Sequence, residues 1–230
     1  MLIKKIFYFY SKKHRERRAK LFLNLLNPTP KDKILDLGSG DGSYIANILP
    51  FRENVYLADI SEEDLKIAQK KYGFKNTILL KDDDPILPFP DKYFDIVFCS
   101  SVIEHVTGPK NKVKSIKDNK LFYELAFKYQ LSFANEIRRI SKKYFVQTPY
   151  KYFLIESHTW LPFIIVLLPR KLQIKLIDFL NNTKWPKKTF PDWNLLTIKD
   201  MKKLFPDAQI ILEKSLLMTK SIIAVKVEDN

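Results

Sequence analysis

The strongest constraint on the fold of this chain is an apolar run that leads directly into three glycines. Residues 33–37 read Lys-Ile-Leu-Asp-Leu, and Gly38, Gly40 and Gly42 follow at alternate positions. Glycine has no Cβ and tolerates positive φ, so this spacing predicts a tight turn whose backbone can approach a small ligand closely. A helix is expected from Ser43 to Leu49, which makes the whole segment a strand, a turn and a helix.

The next apolar run ends in an acidic residue. Residues 55–59 read Val-Tyr-Leu-Ala-Asp and predict a second strand, with Asp59 standing 17 residues after Gly42. A carboxylate at this position can accept both hydroxyls of a ribose. A dinucleotide fingerprint would place its third glycine at position 43, where this chain has Ser43, so the spacing argues against a dinucleotide. An ordinary strand-to-helix turn in a nucleotide-free α/β protein stays as the alternative.

Several motifs together resemble one enzyme family. The order Asp-x-Gly-x-Gly-x-Gly at residues 36–42 resembles motif I of class I S-adenosylmethionine-dependent methyltransferases. Leu-Pro-Phe at 87–89, Phe-Asp-x-Val at 94–97 and Glu-His at 104–105 are similar to the pattern of the type 11 methyltransferase family. The resemblance implies a methyltransferase with S-adenosylmethionine as its cofactor.

The resemblance also assigns residues to that cofactor. It implies that the glycine turn holds the methionine part, that Asp59 binds the ribose and that Asp83 and Asp84 face the adenine. The similarity covers roughly residues 30–106 and 134–226. The complete set of expected cofactor-binding residues is Asp36, Gly38, Ser39, Gly40, Gly42, Asp59, Ile60, Asp83, Asp84, Cys99 and Ser100.

Length and composition fit one catalytic domain over residues 1–230. A chain of 230 residues can bury roughly three quarters of the surface of its unfolded form. The single cysteine, Cys99, excludes an intramolecular disulfide, and no cysteine and histidine spacing indicates a zinc or iron–sulfur site, so we expect no metal. The apolar run at 6–10 is shorter than a signal sequence requires. We therefore expect a cytoplasmic protein.

Strand and helix patterns alternate along the chain. This alternation predicts an α/β fold with a parallel sheet and helices on both faces. A helical segment at 1–30 precedes the first strand, and Thr197 is placed to cap a helix that ends at Leu204. Two closing strands follow at 208–212 and 221–227. The resemblance implies a Rossmann-like, mostly parallel sheet of seven strands, the last of which is antiparallel.

Two segments interrupt the regular pattern. Residues 107–120 contain five lysines and few apolar residues, which indicates either a solvated surface loop or a lid that becomes ordered over the substrate. Residues 150–190 are apolar and aromatic. We expect them to form a cap that lends apolar walls to the substrate pocket. The run from Trp160 to Pro169 is too short to cross a bilayer, which takes about 20 apolar residues.

The net charge of +14 limits the choice of partners. A basic surface attracts nucleic acid, anionic lipid or phosphorylated metabolites. The densest basic cluster, residues 12–18, can equally be a solvated helix face. Peripheral association with an anionic membrane surface is the second possibility, and nucleic acid is the less favoured partner because no RNA-binding motif is present. A small-molecule methyl acceptor is the expected substrate.

Two histidines are candidates for acid–base catalysis. Methyl transfer to a hydroxyl or ammonium group releases a proton, and imidazole titrates close to neutral pH. His105 follows the fourth strand and His158 lies in the cap, so either side chain could take that proton. A structural role is equally open for both. Glu156 and His158 stand two residues apart and could act together on a polar acceptor.

Candidate acceptors are a hydroxyl of a sugar or polysaccharide precursor, a lipid or quinone precursor, and a tRNA nucleoside. The Asx-Pro-Pro-aromatic motif of enzymes that methylate exocyclic amino groups of bases is replaced by Cys-Ser-Ser-Val at 99–102. A nicotinamide-dependent oxidoreductase and a non-catalytic RNA- or membrane-binding module stay open as alternatives.

Overall fold

The fold is seen in a computed structural model that describes residues 2–82 and 86–227, with side chains from Tyr8 onward. Within this part of the chain, one sheet contains β1 (Ile34–Leu37), β2 (Val55–Asp59), β3 (Asn76–Leu79), β4 (Phe94–Ser100), β5 (Ser141–Pro149), β6 (Gln209–Ser215) and β7 (Met218–Lys226). The helices are α1 (Leu2–Leu26), α2 (Ser43–Ile48), α3 (Glu62–Tyr72), α4 (Lys110–Val113), α5 (Asn119–Ile140), α6 (Arg170–Asn182) and α7 (Ile198–Leu204).

The strand order in this sheet is β3-β2-β1-β4-β5-β7-β6. The pairs from β3 across to β5 are parallel, whereas β7 runs antiparallel to both of its neighbours. This arrangement confirms the expected Rossmann-like, mostly parallel sheet of seven strands. Chain order reverses between β1 and β4, and the carboxyl ends of the strands on either side of that point form the ligand crevice in open α/β sheets.

Alternate residues of the central strands pack on opposite faces of the sheet. Leu35 and Val97 lie in a buried cluster with helices α5 and α7, while Ile34 and Ile96 lie in a second cluster with α1, α2 and α3. Strands that are covered on both faces are rich in apolar residues, and β4 is an example, with an apolar run from Ile96 to Cys99. The predicted helices on both faces are therefore confirmed.

The sequence also predicted local helix starts correctly. Thr197 forms a complete capping box at the start of α7, in which its hydroxyl accepts from the Asp200 backbone and the Asp200 carboxylate accepts from the Thr197 backbone. Ser61 caps α3 by accepting from the backbone of Asp64.

The lysine-rich segment at 107–120 is more ordered than a solvated loop. It contains α4, and α5 already begins at Asn119. Val113 is buried against Phe122 and Ala126, and this apolar contact gives the segment a fixed position despite its charge.

The apolar run from Trp160 to Pro169, which lies inside the expected cap at 150–190, is buried only in part. A 3-10 turn spans Phe163–Leu167, in which Ile165 is buried while Ile164 and Leu167 are exposed. Helix α6 follows and buries one face of the 150–190 segment. No helix in the described parts of the chain combines the length and apolar character that a membrane span needs.

Asp36 is a buried carboxyl group in the centre of the sheet. It lies in β1 between Leu57 of β2 and Phe98 of β4. Burial, together with the charge of Asp59, raises the pKa of Asp36 to about 8. The folded protein therefore keeps a proton on this group at a pH at which the unfolded chain has lost it.

We expect the Asp36→Asn variant to change the pH dependence of stability. Between the ordinary pKa of 3.8 and the folded value of about 8, unfolding releases the Asp36 proton, so rising pH favours the unfolded state. The free energy of unfolding of the parent should therefore fall relative to the variant by up to about 1.4 kcal/mol per pH unit. Urea unfolding of both proteins from pH 5 to pH 8 measures the difference, and parallel pH profiles would contradict it.

We expect Gly42→Ala to destabilise the protein more than Gly73→Ala. Both glycines have positive φ, but a Cβ at Gly42 would lie 2.9 Å from Leu57 and 3.1 Å from Phe74, whereas a Cβ at Gly73 would meet nothing within 4 Å. Backbone strain is common to both variants, and overpacking adds about 1–3 kcal/mol at Gly42 alone. Urea unfolding measures the free energy of unfolding of the two variants. Equal losses of stability would contradict the prediction and show that the side chains around Gly42 move to make room for the added methyl group.

Candidate functional site

The glycine turn after β1 is held by the carboxylate that ends β2. Asp59 accepts from the Gly40 backbone N–H at 2.7 Å through Oδ2, and from the Ser61 backbone N–H at 2.9 Å through Oδ1. The Gly38 N–H donates to the Ala58 carbonyl at 2.8 Å. The turn after β1 and the turn after β2 are thus fixed to each other.

The three glycines of the turn meet different surroundings. A Cβ at Gly38 would lie 2.3 Å from the side chain of Val102, so the residue must be glycine for the loop after β4 to approach. A Cβ at Gly42 would enter the core beside α3. A Cβ at Gly40 would meet no atom within 4 Å. Only Gly40 leaves open space beside the backbone.

A cavity of about 660 Å³ lies at the carboxyl edge of the sheet. Of the expected cofactor-binding residues, Gly38, Asp59 and Ile60 line it. Asp82, at the start of the aspartate run, lines it as well, while Asp83 and Asp84 lie outside the described residues. The rest of its lining is Leu37, Leu79, Leu80, Lys81, Ile86, Leu87, Pro88, Ser101, Val102, His105, Val106, Gly108, Lys110, Tyr129, Phe133, Thr189, Phe190 and Asp192.

The other described residues that we expected to bind the cofactor lie near this cavity but do not line it. They are Asp36, Ser39, Gly40, Gly42, Cys99 and Ser100. Cys99 is fully buried in β4, and burial raises the pKa of its thiol well above the usual value. It packs in the apolar core as a small residue.

Ser100 belongs to a polar contact that anchors the N-terminal helix. Its hydroxyl donates to Gln147 Oε1 at 2.8 Å, and the guanidinium of Arg18 on α1 donates to the same oxygen. His14, one turn earlier, bonds to Glu213 of β6 at 2.7 Å between Nδ1 and Oε1. Helix α1 is therefore fixed at the ends of β4 and β5 by buried polar groups, and His14 is occupied there.

The two candidate catalytic histidines meet each other. His105 follows β4 in a 3-10 turn, His158 lies 53 residues later, and their Nε2 atoms are 3.0 Å apart. His105 lines the cavity, whereas His158 lies behind it, stacked on Trp193 with ring centroids 5.3 Å apart. The sequence selected both residues but did not predict that they touch.

Each histidine is oriented by a carboxylate. His105 Nδ1 donates to Asp192 Oδ1 at 2.9 Å, and His158 Nδ1 donates to Glu156 Oε1 at 2.7 Å. A carboxylate can only accept, so both Nδ1 atoms carry hydrogen and both Nε2 atoms are left to face one another. Glu156 is buried and holds His158 through this hydrogen bond; the joint action of the two residues on a polar acceptor stays a prediction.

The charges around His105 favour its protonated form. Burial lowers the pKa of His105, but the hydrogen bond to Asp192 and the charges of Glu104 and Asp192 outweigh it, so the pKa is raised from the ordinary value of 6.5. The pKa of Asp192 is lowered overall. Burial raises it, but the hydrogen bond to His105 and the charges of His105 and Lys110 have the larger effect.

Two residues of this cluster escaped sequence reasoning as site residues. Asp192 lies 87 residues after His105, and no spacing rule connects them. Glu104 was visible as part of the Glu-His step, yet nothing in the sequence showed that it is fully buried or that its Oε1 atom has no hydrogen-bond partner. Its other oxygen accepts from the hydroxyl of Thr148 at 2.9 Å.

Comparison with known protein families agrees with this geometry. Residues 35–118 match the family described as "Methyltransferase domain". The chain is 31% identical over 94 residues to the ubiquinone/menaquinone biosynthesis C-methyltransferase UbiE of Shewanella sediminis. The aligned region covers 38% of each protein. The corresponding protein of Vibrio vulnificus is 32% identical over 94 residues, covering 38% of this chain and 36% of that one. The chain thus spans well under half the length of these relatives.

Solved structures share the fold over nearly the whole chain. Magnesium protoporphyrin IX methyltransferase from Synechocystis, solved with bound SAH, covers 98% of this chain and 88% of its own at 16% identity with a TM-score of 0.55. A S-adenosylmethionine-dependent methyltransferase from Clostridium acetobutylicum covers 99% of this chain and 100% of its own at 16% identity with a TM-score of 0.54. Residues 35–118 thus match the methyltransferase domain family, and over nearly the whole chain the seven-stranded sheet has the fold of S-adenosylmethionine-dependent methyltransferases.

Proposed function

We propose that this chain transfers a methyl group from S-adenosylmethionine to a small-molecule acceptor. The observation that carries the proposal is one cavity lined both by the turn residues Gly38 and Asp59 and by His105. The first two belong to the type of turn that binds this cofactor, and the third is a group that can take a proton. The match of residues 35–118 to the methyltransferase domain family supports the same activity.

The residues present fit the cofactor. Each oxygen of Asp59 accepts one backbone hydrogen, and a carboxylate oxygen has capacity for a second, so the group can also accept from the two ribose hydroxyls. Gly40 leaves open space beside the backbone, which gives a ligand close access to the turn. Ile60 is half exposed in the cavity lining and offers an apolar surface next to Asp59.

The protein's part in the reaction is to position the partners and to handle a proton. S-adenosylmethionine supplies a methyl group that is already activated by its sulfonium sulfur. The glycine turn and Asp59 hold the cofactor, and the cavity wall holds the acceptor. We assign the acceptor's proton to His105 Nε2, because Asp192 holds the hydrogen on Nδ1. Nε2 of His158 lies 3.0 Å from this atom and would share that proton.

The lining of the cavity favours an apolar acceptor that carries a polar group. Aromatic and aliphatic side chains from α5, from the segments before and after β4 and from the stretch between α6 and α7 predominate on one side. They are Ile86, Leu87, Pro88, Val106, Tyr129, Phe133 and Phe190. Such walls suit a lipid or quinone precursor better than a sugar, which needs more hydrogen-bonding partners. The UbiE relatives are named for ubiquinone and menaquinone biosynthesis, which supports this class of acceptor.

Association with an anionic membrane surface stays a prediction from the sequence. The exposed apolar residues Ile164, Leu167, Leu172 and Phe179 of the 150–190 segment support it, since isolated apolar side chains beside lysines suit the interface of a bilayer. A lipid-like acceptor could reach the chain at such a surface.

Cofactor binding is tested with the Asp59→Asn variant. The substitution removes the charge that we expect to accept from the ribose, so the affinity for S-adenosylhomocysteine should fall about 10- to 100-fold. Calorimetric titration measures it, with Asp178→Asn as the matched control because Asp178 pairs with Lys114 outside the cavity lining. An unchanged affinity would contradict the ribose assignment. Thermal stabilisation by NADH instead of S-adenosylhomocysteine would point to an oxidoreductase.

Methyl transfer is tested by incubating the protein with isotopically labelled S-adenosylmethionine and a panel of phenolic, hydroquinone, sugar and RNA acceptors. We expect labelled product from an apolar ring-bearing acceptor, detected by mass spectrometry. His105→Asn should lower kcat by about 10²- to 10⁴-fold with little change in the affinity for the cofactor. His14→Asn serves as the control histidine. Label in RNA alone, or equal rates for the two variants, would overturn the proposal.

A further inference from the structure

We propose that Glu104, His105 and His158 form a binding site for a divalent first-row transition-metal ion. One donor atom from each residue lies within 4.8 Å of the other two. Residue spacing did not predict a metal here, because His158 lies 53 residues after His105. The inference goes beyond methyl transfer and does not depend on it, since it concerns only these side chains and their neighbours.

The first argument is the orientation of the two imidazole rings. Both Nδ1 atoms donate to carboxylates, so both Nε2 atoms present lone pairs, and these atoms are 3.0 Å apart. Two lone pairs that face each other at this distance repel unless a cation lies between them. Either a shared proton or a metal ion satisfies both nitrogen atoms.

The second argument is Glu104. Its side chain is completely buried, and its Oε1 atom has no hydrogen-bond partner. That atom lies 4.0 Å from His158 Nε2, on the side where the two nitrogen atoms meet. A buried carboxylate oxygen without a partner is costly, and a metal ion would compensate for it. Thr148 holds the other oxygen and leaves Oε1 free to act as a ligand.

The distances suit a single ion. A metal binds imidazole nitrogen at about 2.0–2.1 Å, so the nitrogen atoms of two such ligands are about 3.0 Å apart at a right angle and about 3.3 Å apart at the tetrahedral angle that Zn²⁺ prefers. The observed separation of 3.0 Å between the Nε2 atoms lies at the lower end of this range. Glu104 then needs only a small side-chain movement to complete three ligands.

The surroundings resemble those of known metal ligands in protein chemistry. A metal-binding histidine almost always donates its other ring N–H to a carboxylate or carbonyl, which fixes the tautomer and makes the ligand more basic. Asp192 and Glu156 do this for His105 and His158 at 2.9 and 2.7 Å. Thr159 in turn donates to the second oxygen of Glu156 through its hydroxyl at 2.6 Å and its backbone N–H at 2.7 Å.

The charge of the cluster also favours a cation. Glu104, Glu156 and Asp192 are all buried carboxyl groups. Lys110, 3.7 Å from Asp192, and the buried Arg170 offset part of their negative charge. Three carboxylates thus face two cationic side chains, and a proton or a divalent ion held between the two histidines would offset the remaining negative charge.

The donor set indicates which ions to expect. Two imidazole nitrogens and one carboxylate oxygen suit Zn²⁺, Fe²⁺ or Co²⁺, whereas Mg²⁺ and Ca²⁺ prefer oxygen ligands. His105 lines the cavity, so a bound ion would be accessible from it and would act as a Lewis acid on an acceptor oxygen. The ion and a proton compete for the same nitrogen lone pairs, so His105 serves as a base only while the metal is absent.

The test uses the full chain without a histidine tag, freed of metal by a chelator. Calorimetric titration with Zn²⁺ should show one ion per chain, and Co²⁺ should give a visible absorption spectrum that Zn²⁺ displaces. Glu104→Gln and His158→Asn should each weaken Zn²⁺ binding at least tenfold, and Asp192→Asn should weaken it about 10- to 100-fold. His14→Asn, which removes the one histidine outside the cluster, should bind as the parent does.

Thermal melts without metal establish that each variant is folded before its affinity is compared. The proposal is wrong if the folded parent binds no stoichiometric Zn²⁺ or Co²⁺, if Mg²⁺ binds as tightly, or if His14→Asn loses the ion while Glu104→Gln retains it. No cofactor or acceptor is present in these titrations. A failure here therefore leaves the methyltransferase proposal untouched, and a failure to transfer methyl groups leaves the metal site standing.

Discussion

The site depends on one carboxylate that joins two turns. Asp59 ends β2, and its two oxygens accept from the backbones of Gly40 and Ser61, so the turn after β1 and the start of α3 cannot move independently. The parallel pairing of β1 with β2 brings these turns to the same edge of the sheet. The approach of Val102 to Gly38 adds the loop after β4 to the same unit. The floor of the cavity is therefore rigid.

The two sides of the cavity have different structural origins. The side with Gly38 and Asp59 is built from regular strand-to-helix turns, which every parallel sheet of this order provides. The side with His105 and Asp192 is built from irregular segments, namely a 3-10 turn after β4 and the stretch between α6 and α7. Variation in those segments can change the acceptor and the chemistry without disturbing the cofactor side.

Sequence reasoning succeeded where local signals determine structure. The glycine spacing, the capping residue Thr197 and the alternation of strands and helices each depend on neighbouring residues, and the sheet and its caps were predicted from them. It selected His105 and His158 from chemistry alone. Their contact was not predictable, because it depends on how the 150–190 segment folds back across the sheet, and no periodic pattern encodes that path.

The same limit applies to the inserted segments. The lysines at 107–120 left a solvated loop and a lid open, and the apolar contact of Val113 with Phe122 was not visible in the composition. The segment at 150–190 was expected to lend apolar walls to the pocket, and Phe190 lines the cavity, but within the same segment Ile165 is buried while Ile164 is exposed. In both cases the composition of a segment was informative about its average character and uninformative about which single side chain faces inward.

The insertion of β7 between β5 and β6 has a consequence for how the protein is made. In the described sheet, β6 is joined to the other strands through β7 alone, although β7 is later in the sequence. During synthesis, β6 therefore emerges from the ribosome before the strand that attaches it exists. Until β7 has been synthesised, the edge of β5 that pairs with it is also without a partner. Completion of the sheet is thus a late event that requires residues as far as Lys226, whereas β1 to β4 can associate much earlier.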